Sequence, residues 1–275
     1  MVKFADGTEV PAMGLGTWRM GERRQEAARE VAALRHGLDL QMTLVDTAEM
    51  YGDGGAEEIV AQALAGRRDE AFIVSKVYPH NAGAKSAIAA CERSLRRLRT
   101  DRIDLYLLHW PGSIPLGETI DAFERLRAGG KILRWGVSNF DVGAMRELAA
   151  TKNGRLCATN QVLYNLSIRG IEFDLLPWCA SHGMPVMAYS PVNQGALATD
   201  RKLSAVAATM GVTAAQLALA WTIRSPGVIA IPKSSTPARI DENRRAATLR
   251  LTSDVMRELD RLFPPPRRRT PLAVL

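Results

Sequence analysis

Three cysteines in 275 residues, Cys91, Cys157 and Cys179, form an odd set with no CxxC spacing. That removes a disulfide framework and a thiolate metal site, and leaves buried thiols as the reading. Histidine is equally sparse. His36, His80, His109 and His182 show no HExxH-type pairing, so no zinc site is expected and no metal is assigned. No stretch approaches the roughly 20 apolar residues of a membrane span. The opening "MVKFADGTEV" has neither the basic start nor the apolar run of a signal peptide. A cytoplasmic protein with no membrane partner is the expectation. Linkers and short repeats are absent too, and the only low-complexity block is "PPPRRR".

Positive charge is present in excess, a formal +7, but the basic residues are spread along helical segments. The one dense run, Arg267-Arg268-Arg269, lies in a Pro-rich tail over residues 263–275 and reads as a solvated extension rather than a nucleic-acid arm. No nucleic-acid partner is expected; an anionic cofactor is compatible with the charge.

With 47% hydrophobic and 24% charged residues the chain can build an ample core, and its length suits a single closed α/β barrel over residues 1–275. "KFADGTEV" reads as a hairpin around Asp6-Gly7. Eight apolar runs of strand type follow: 14–18, 43–47, 72–76, 103–109, 135–139, 158–162, 185–190 and 227–233. Amphipathic segments such as "AIAACERSLRRLR" and "ETIDAFERLRAGG" separate them. Asp141 and Thr213 read as N-caps, and Gly66 and Gly129-Gly130 as helix stops. Eight alternating units imply a parallel sheet covered by helices and favour a (β/α)8 TIM barrel. An open doubly wound sheet is the alternative. Its dinucleotide fingerprint is incomplete, because "GLGTWRMG" lacks the third glycine at the required spacing.

The runs change character where they stop. Trp18, Asp46, Lys76, His109, Ser138 with Asn139, Gln161, Tyr189 with Ser190, and Lys233 stand at their ends. A parallel barrel gathers such ends at one rim, where barrel enzymes place their sites. A carboxylate at the end of a buried strand is costly unless a cation meets it, and Lys76 on the next strand supplies one to Asp46.

The motifs "DTAEMYG", "DLYLLHW", "GVSNF", "NQV", "AYSP" and "IPKSSTPARIDEN" resemble the aldo-keto reductase family, in its order, from about Phe4 to Asn243. Within the family the chain is most similar to short bacterial reductases of methylglyoxal and other small carbonyls. The resemblance implies a catalytic set of Asp46, Tyr51, Lys76 and His109, with NADPH/NADP+ as cofactor and a small carbonyl as substrate. In that set Tyr51 gives the proton, Lys76 lowers its pKa, Asp46 holds Lys76, and His109 orients the carbonyl. Trp18, Tyr51, His109 and Trp110 would line the substrate pocket.

For the cofactor the resemblance implies Gly16, Thr17, Trp18 and Asp46 at the first strand ends. It adds Ser138, Asn139 and Gln161 on the carboxamide, and Tyr189 stacked on the ring beside Ser190 and Pro191. Lys233, Ser234, Ser235, Thr236 and Arg239 would hold a phosphate monoester, a role that cations, hydroxyls and a helix start suit. Glu242 and Asn243 would reach the adenine. The segment after His109, "WPGSIPLGE", is short. An open, little-selective pocket is expected from it, and a monomer from the family. Two other functions compete: an NADPH-binding regulatory barrel without turnover, and a Schiff-base lyase using Lys76.

Overall fold

The computed structural model describes residues 1–275. The hairpin forms as expected: β1 (Val2–Lys3) and β2 (Glu9–Val10) pair antiparallel, with Val2 opposite Val10. Gly7 turns the chain at a φ of 90°, a conformation open to glycine at little cost.

Eight parallel strands follow, each sequence neighbour hydrogen-bonded to the next. They are β3 (Leu15–Gly16), β4 (Leu44–Asp46), β5 (Phe72–Val77), β6 (Leu105–Leu108), β7 (Trp135–Ser138), β8 (Asn160–Leu163), β9 (Val186–Tyr189) and β10 (Val228–Ala230). The sheet curls until its outer strands meet. Parallel bridges join Met13 to Ala230 and Gly16 to Lys233, and Gly14 N–H donates to the Ala230 carbonyl at 2.8 Å. Gly16 permits that approach, since a Cβ there would lie 2.6 Å from the Ile231 carbonyl oxygen.

The two-residue period of a strand sorts the side chains into two cores. One face, with Val45, Ile73, Tyr106, Val137, Val162 and Ala188, belongs to the large core shared with the helices. The other, with Leu44, Phe72, Val74, Leu105, Leu107, Met187, Ile229 and Ile231, packs with Val2, Phe4 and Val10 of the hairpin. Phe4 stacks on Phe72 at 5.5 Å, and Arg134 lies over both rings while pairing with Asp6 at 2.6 Å. The hairpin thus plugs the end where the strands begin. Two residues onward the inward face turns polar: Leu44 gives way to Asp46, Val74 to Lys76, Leu107 to His109, Met187 to Tyr189 and Ile231 to Lys233.

Ten α-helices accompany the sheet. The expected caps are in place. The Asp141 carboxylate accepts from Ala144 N–H at α5 (Val142–Ala150), and Thr213 forms a reciprocal capping box with Gln216 at α8 (Ala214–Thr222). Gly66 and Gly130 follow the ends of α2 (Gly55–Ala63) and α4 (Leu116–Ala128) with positive φ. Two helices were not read from the sequence. In α6 (Leu175–Ser181) a proline, Pro177, sits in the first turn, where its missing N–H costs nothing. In α7 (Arg201–Thr209) Asp200 supplies the cap. All three cysteines are buried and unpaired, as expected. No single helix is long and apolar enough to cross a membrane.

Candidate active site

Asp46 and Lys76 meet at 2.8 Å with side chains 3% and 0% exposed. Breaking such a buried pair by removing one partner costs about 3–5 kcal/mol. The Lys76 ammonium has three hydrogens and spends each within the chain. Nζ donates to Asp46 Oδ2 at 2.8 Å, to the Thr47 carbonyl at 2.8 Å and to Tyr51 Oη at 3.3 Å. Burial works against the Lys76 charge, but Asp46 and Tyr51 outweigh it and lift the pKa above the ordinary ammonium value.

Tyr51 sits in a short turn, Tyr51–Gly54, in which Gly52, Asp53 and Gly54 all have positive φ. The turn rests backbone to backbone on the loop after β3. A Cβ on Gly21 would lie 2.2 Å from the Gly55 carbonyl carbon, so only glycine lets the two loops close and aim Tyr51 inward. The sequence reading has Lys76 lowering the Tyr51 pKa. The net shift is upward: burial raises it most, Lys76 pulls it down, and Asp46 pushes it up again. The pull is real, but the dry surroundings win before any substrate is bound.

The His109 ring lies 5.8 Å from the Tyr51 ring, edge to face. Burial, then the Lys76 charge, depress its pKa to about 2, so it is neutral. Its Nδ1 is enclosed without a partner. Trp110 tilts against His109 at 4.8 Å, and Tyr78 meets Trp110 at 5.8 Å and His80 at 4.7 Å. The sequence reading missed Tyr78 and His80. Tyr78 stands two residues beyond Lys76, so the same strand period could have found it. Glu49 was missed as well: its Oε1 accepts from Tyr78 N–H at 2.8 Å and from Asn81 Nδ2 at 3.1 Å, tying the two loops together.

Across the interior, Gln161 Nε2 donates to Asp46 Oδ1 at 2.7 Å. Thr17 donates to the Asp46 carbonyl through both Oγ1, at 2.9 Å, and its N–H, at 3.0 Å. Asn139, held at a φ of 62°, donates from Nδ2 to the His109 carbonyl at 3.1 Å and to Ser138 Oγ at 3.2 Å. It accepts from the Tyr189 hydroxyl at 2.9 Å. One hydrogen-bonded network therefore joins Thr17, Asp46, Tyr51, Lys76 and Gln161, and a second, centred on Asn139, joins His109, Ser138 and Tyr189. Ser190, at φ 48°, gives its carbonyl to Asn165 Nδ2 at 3.0 Å, and Pro191 is buried beside it. Trp18 stands apart, 39% exposed with the Arg19 guanidinium 4.6 Å above it.

The turn from β10 to α9 (Pro237–Ala246) is built differently. Lys233 is tied by its backbone to Gly16, and burial lowers its pKa, with Arg29 and Arg19 opposing and Glu30 and Glu22 favouring its charge. Arg239 is exposed, and no hydrogen bond or ion pair engages its side chain. Ser234 is occupied within the turn, accepting from Thr236 N–H at 3.1 Å. Ser235 is partly buried, Asn243 is buried, and Glu242 is held by the Thr213 hydroxyl.

The tail departs from a wholly solvated extension. Arg267 and Arg268 are exposed, but Arg269 pairs with Asp141 at 3.2 Å and Asp174 at 3.1 Å. Thr270 packs where a Cβ on Gly170 would lie 2.5 Å from its hydroxyl, and the Leu275 backbone lies beside the Tyr189 hydroxyl. The reason is charge and reach: two carboxylates on the rim meet the third arginine of the run.

A protein-family model described as the aldo/keto reductase family matches residues 12–263. Methylglyoxal reductase YeaE of Escherichia coli (strain K12) is 51% identical over 277 residues, covering 99% of this chain and 98% of that protein. Glyoxal reductase of Bacillus subtilis (strain 168) is 35% identical, covering 95% and 92%. An aldo/keto reductase from Klebsiella pneumoniae, solved in complex with NADP and acetate, superimposes with a TM-score of 0.98 at 52% identity, covering 100% and 99% of the two chains.

Proposed function

The chain belongs to the aldo/keto reductase family, and from that premise we propose that it reduces small aldehydes and ketones to alcohols with NADPH, 2-oxoaldehydes such as methylglyoxal foremost. The observation that carries the mechanism is the saturated Lys76 ammonium. Because Lys76 only donates, Tyr51 Oη accepts from it, and the phenol hydrogen is left to point elsewhere, toward the cavity shared with His109. Tyr51 then gives that proton to the carbonyl oxygen, and the phenolate left behind sits against a fixed cation. His109 is neutral, and its enclosed Nδ1 has no acceptor for a hydrogen. We place the ring proton on Nε2, where it donates to the carbonyl oxygen as charge develops there.

NADPH, when bound, supplies the hydride. The chain fits such a ligand. Tyr189 offers a half-buried ring, and Ser138, Asn139 and Gln161 offer polar atoms beside it. Trp18, Gly16, Thr17, Ser190 and Pro191 border the same end. Lys233, Arg239 and the hydroxyls of Ser234, Ser235 and Thr236 are assigned to the 2′-phosphate, and Glu242 and Asn243 to the adenine. Trp18, Trp110 and Tyr78 wall a small substrate.

The sheet is read as a (β/α)8 barrel closed through the Met13 and Gly16 bridges. Residues 1–275 are read as one domain with 263–275 as its tail, in a cytoplasmic monomer. A Schiff-base lyase is disfavoured, since Lys76 keeps no lone pair beside Asp46. A regulatory barrel without turnover is disfavoured by an intact proton-donor cluster.

The test is NADPH oxidation with methylglyoxal. Tyr51→Phe should lose on the order of 10² to 10⁴ in kcat while NADPH affinity, followed by tryptophan quenching, stays near that of the parent. A variant keeping more than about a tenth of kcat would remove Tyr51 as the acid.

A further inference from the structure

Gln161 lies on β8 at 1% exposure, and its amide spans the interior to a carboxylate on β4. Nε2 donates one hydrogen to Asp46 Oδ1 at 2.7 Å and directs the other at the Met187 thioether, 3.9 Å away. An ionised carboxylate only accepts, so the amide cannot be reversed: its oxygen in that place would set two acceptors 2.7 Å apart. Oε1 is therefore turned away from Asp46. No group of the chain donates to it, and it is not among the enclosed unpaired atoms, so it keeps some accessible surface. Both Asp46 oxygens are then held, Oδ2 by Lys76 and Oδ1 by Gln161. Without the second anchor the carboxylate is free to turn and carry the Lys76 ammonium with it. The 3.3 Å contact to Tyr51, the longest of the three that Lys76 makes, is the first to suffer.

We infer that Gln161, assigned above to the carboxamide, is also a positioning residue for the proton donor: it locks Asp46, and through Asp46 and Lys76 it sets Tyr51. The inference rests on the carbonyl-reductase reading above. It joins cofactor engagement and the setting of the acid in one side chain.

The titratable groups facing Asp46 are Lys76 from β5 and Tyr51 from the turn after β4; β8 contributes only the amide. Burial raises the Asp46 carboxyl pKa most, and Lys76 and then Gln161 pull it back toward the ionised form, so losing the Gln161 donor raises it further and moves the acid-side fall of kcat to higher pH.

The experiment compares kcat against pH at saturating NADPH, and the NADPH Kd, for the parent, Gln161→Leu, Gln161→Glu and Ser138→Ala. Gln161→Leu should lower kcat about tenfold or more, as loss of a charge-assisted hydrogen bond implies, and shift the acid limb upward. Gln161→Glu should come nearest the parent at low pH, where the new carboxyl is protonated and can donate to Asp46, and fall away as it ionises. Ser138→Ala should weaken NADPH yet keep the parent's pH dependence. Gln161→Leu with the parent's kcat and pH profile, its defect confined to Kd, overturns the inference. Should that variant fail to fold by circular dichroism, a Gln161→Glu-to-parent kcat ratio independent of pH overturns it equally. Turnover of methylglyoxal by the parent is measured first. Its absence would sink the functional reading, whereas an unchanged variant profile beside an active parent sinks only the role of Gln161.

Discussion

At the ends of β4, β5 and β8 every hydrogen of the Lys76 ammonium is used inside the chain, whereas in the turn from β10 to α9 the Arg239 guanidinium has no partner at all. One region is dry and wired in advance, with Asp46, Lys76 and Gln161 each no more than 2% exposed. The other is open and waits for its counter-charge. The contrast suits what each does in the function proposed above. A proton donor has to be held at one geometry before the substrate arrives, because rearrangement during reaction adds to the barrier. A phosphate brings its own charge, so cations left solvated meet it with little to undo.

The comparison breaks most severely at Lys76. Lys76→Met leaves Asp46 buried without its cation and Tyr51 without its neighbour. Stability should drop by about 3–5 kcal/mol, read by urea denaturation, and reduction of methylglyoxal should fall below detection. A variant with parental stability would mean that the pair contributes nothing to the fold.

The open end should respond through the ligand instead. Arg239→Ala should leave the denaturation midpoint unchanged and weaken NADPH by roughly one to three orders of magnitude, as loss of charge-assisted bonds to a phosphate implies. NADH should hardly change, and added salt should narrow the parent's preference because the site is exposed. Equal affinity of the parent for both cofactors would remove Arg239 and Lys233 from the phosphate site.

The gentlest probe is pH. His109 is neutral down to about 2, so it should put no inflection into kcat/KM between pH 5 and 8, where an ordinary histidine would titrate. Tyr51 keeps its proton to beyond the ordinary phenol value, so on the alkaline side reduction should hold past neutrality until the phenol ionises. A step near pH 6.5 that disappears in His109→Gln would contradict the depressed histidine.

Much of the wired region was legible beforehand because strand chemistry is local. In "TLVDT" the strand ends at an acid, Asp46, the two-residue period turns that acid to the face of Leu44, and Lys76 lies on the adjacent strand. Asp141 and Thr213 were legible as caps for the same reason, since a cap acts on amides three residues away. The limits were geometric. "GVIAIPK" reads as one strand through Lys233, yet the strand pairs only over Val228–Ala230, and Lys233 joins β3 by a separate bridge. Tyr78 was overlooked because its neighbour Trp110 comes from another strand end, and His80 because it meets the site only through Tyr78.

By itself the sequence determined the eight strand units, the polar residues that end them, and the pairing of a buried acid with a lysine. Each of these rests on periods of two and 3.6 residues and on the cost of burying charge, which act along the chain. Only the tertiary structure decided that Gln161 faces Asp46 from 115 residues away, that burial outweighs Lys76 at the Tyr51 hydroxyl, and that Arg269 returns to Asp141 and Asp174. Those outcomes depend on distance and dielectric across the curled sheet. Such quantities take a value only once distant segments have packed against one another and expelled the water between them.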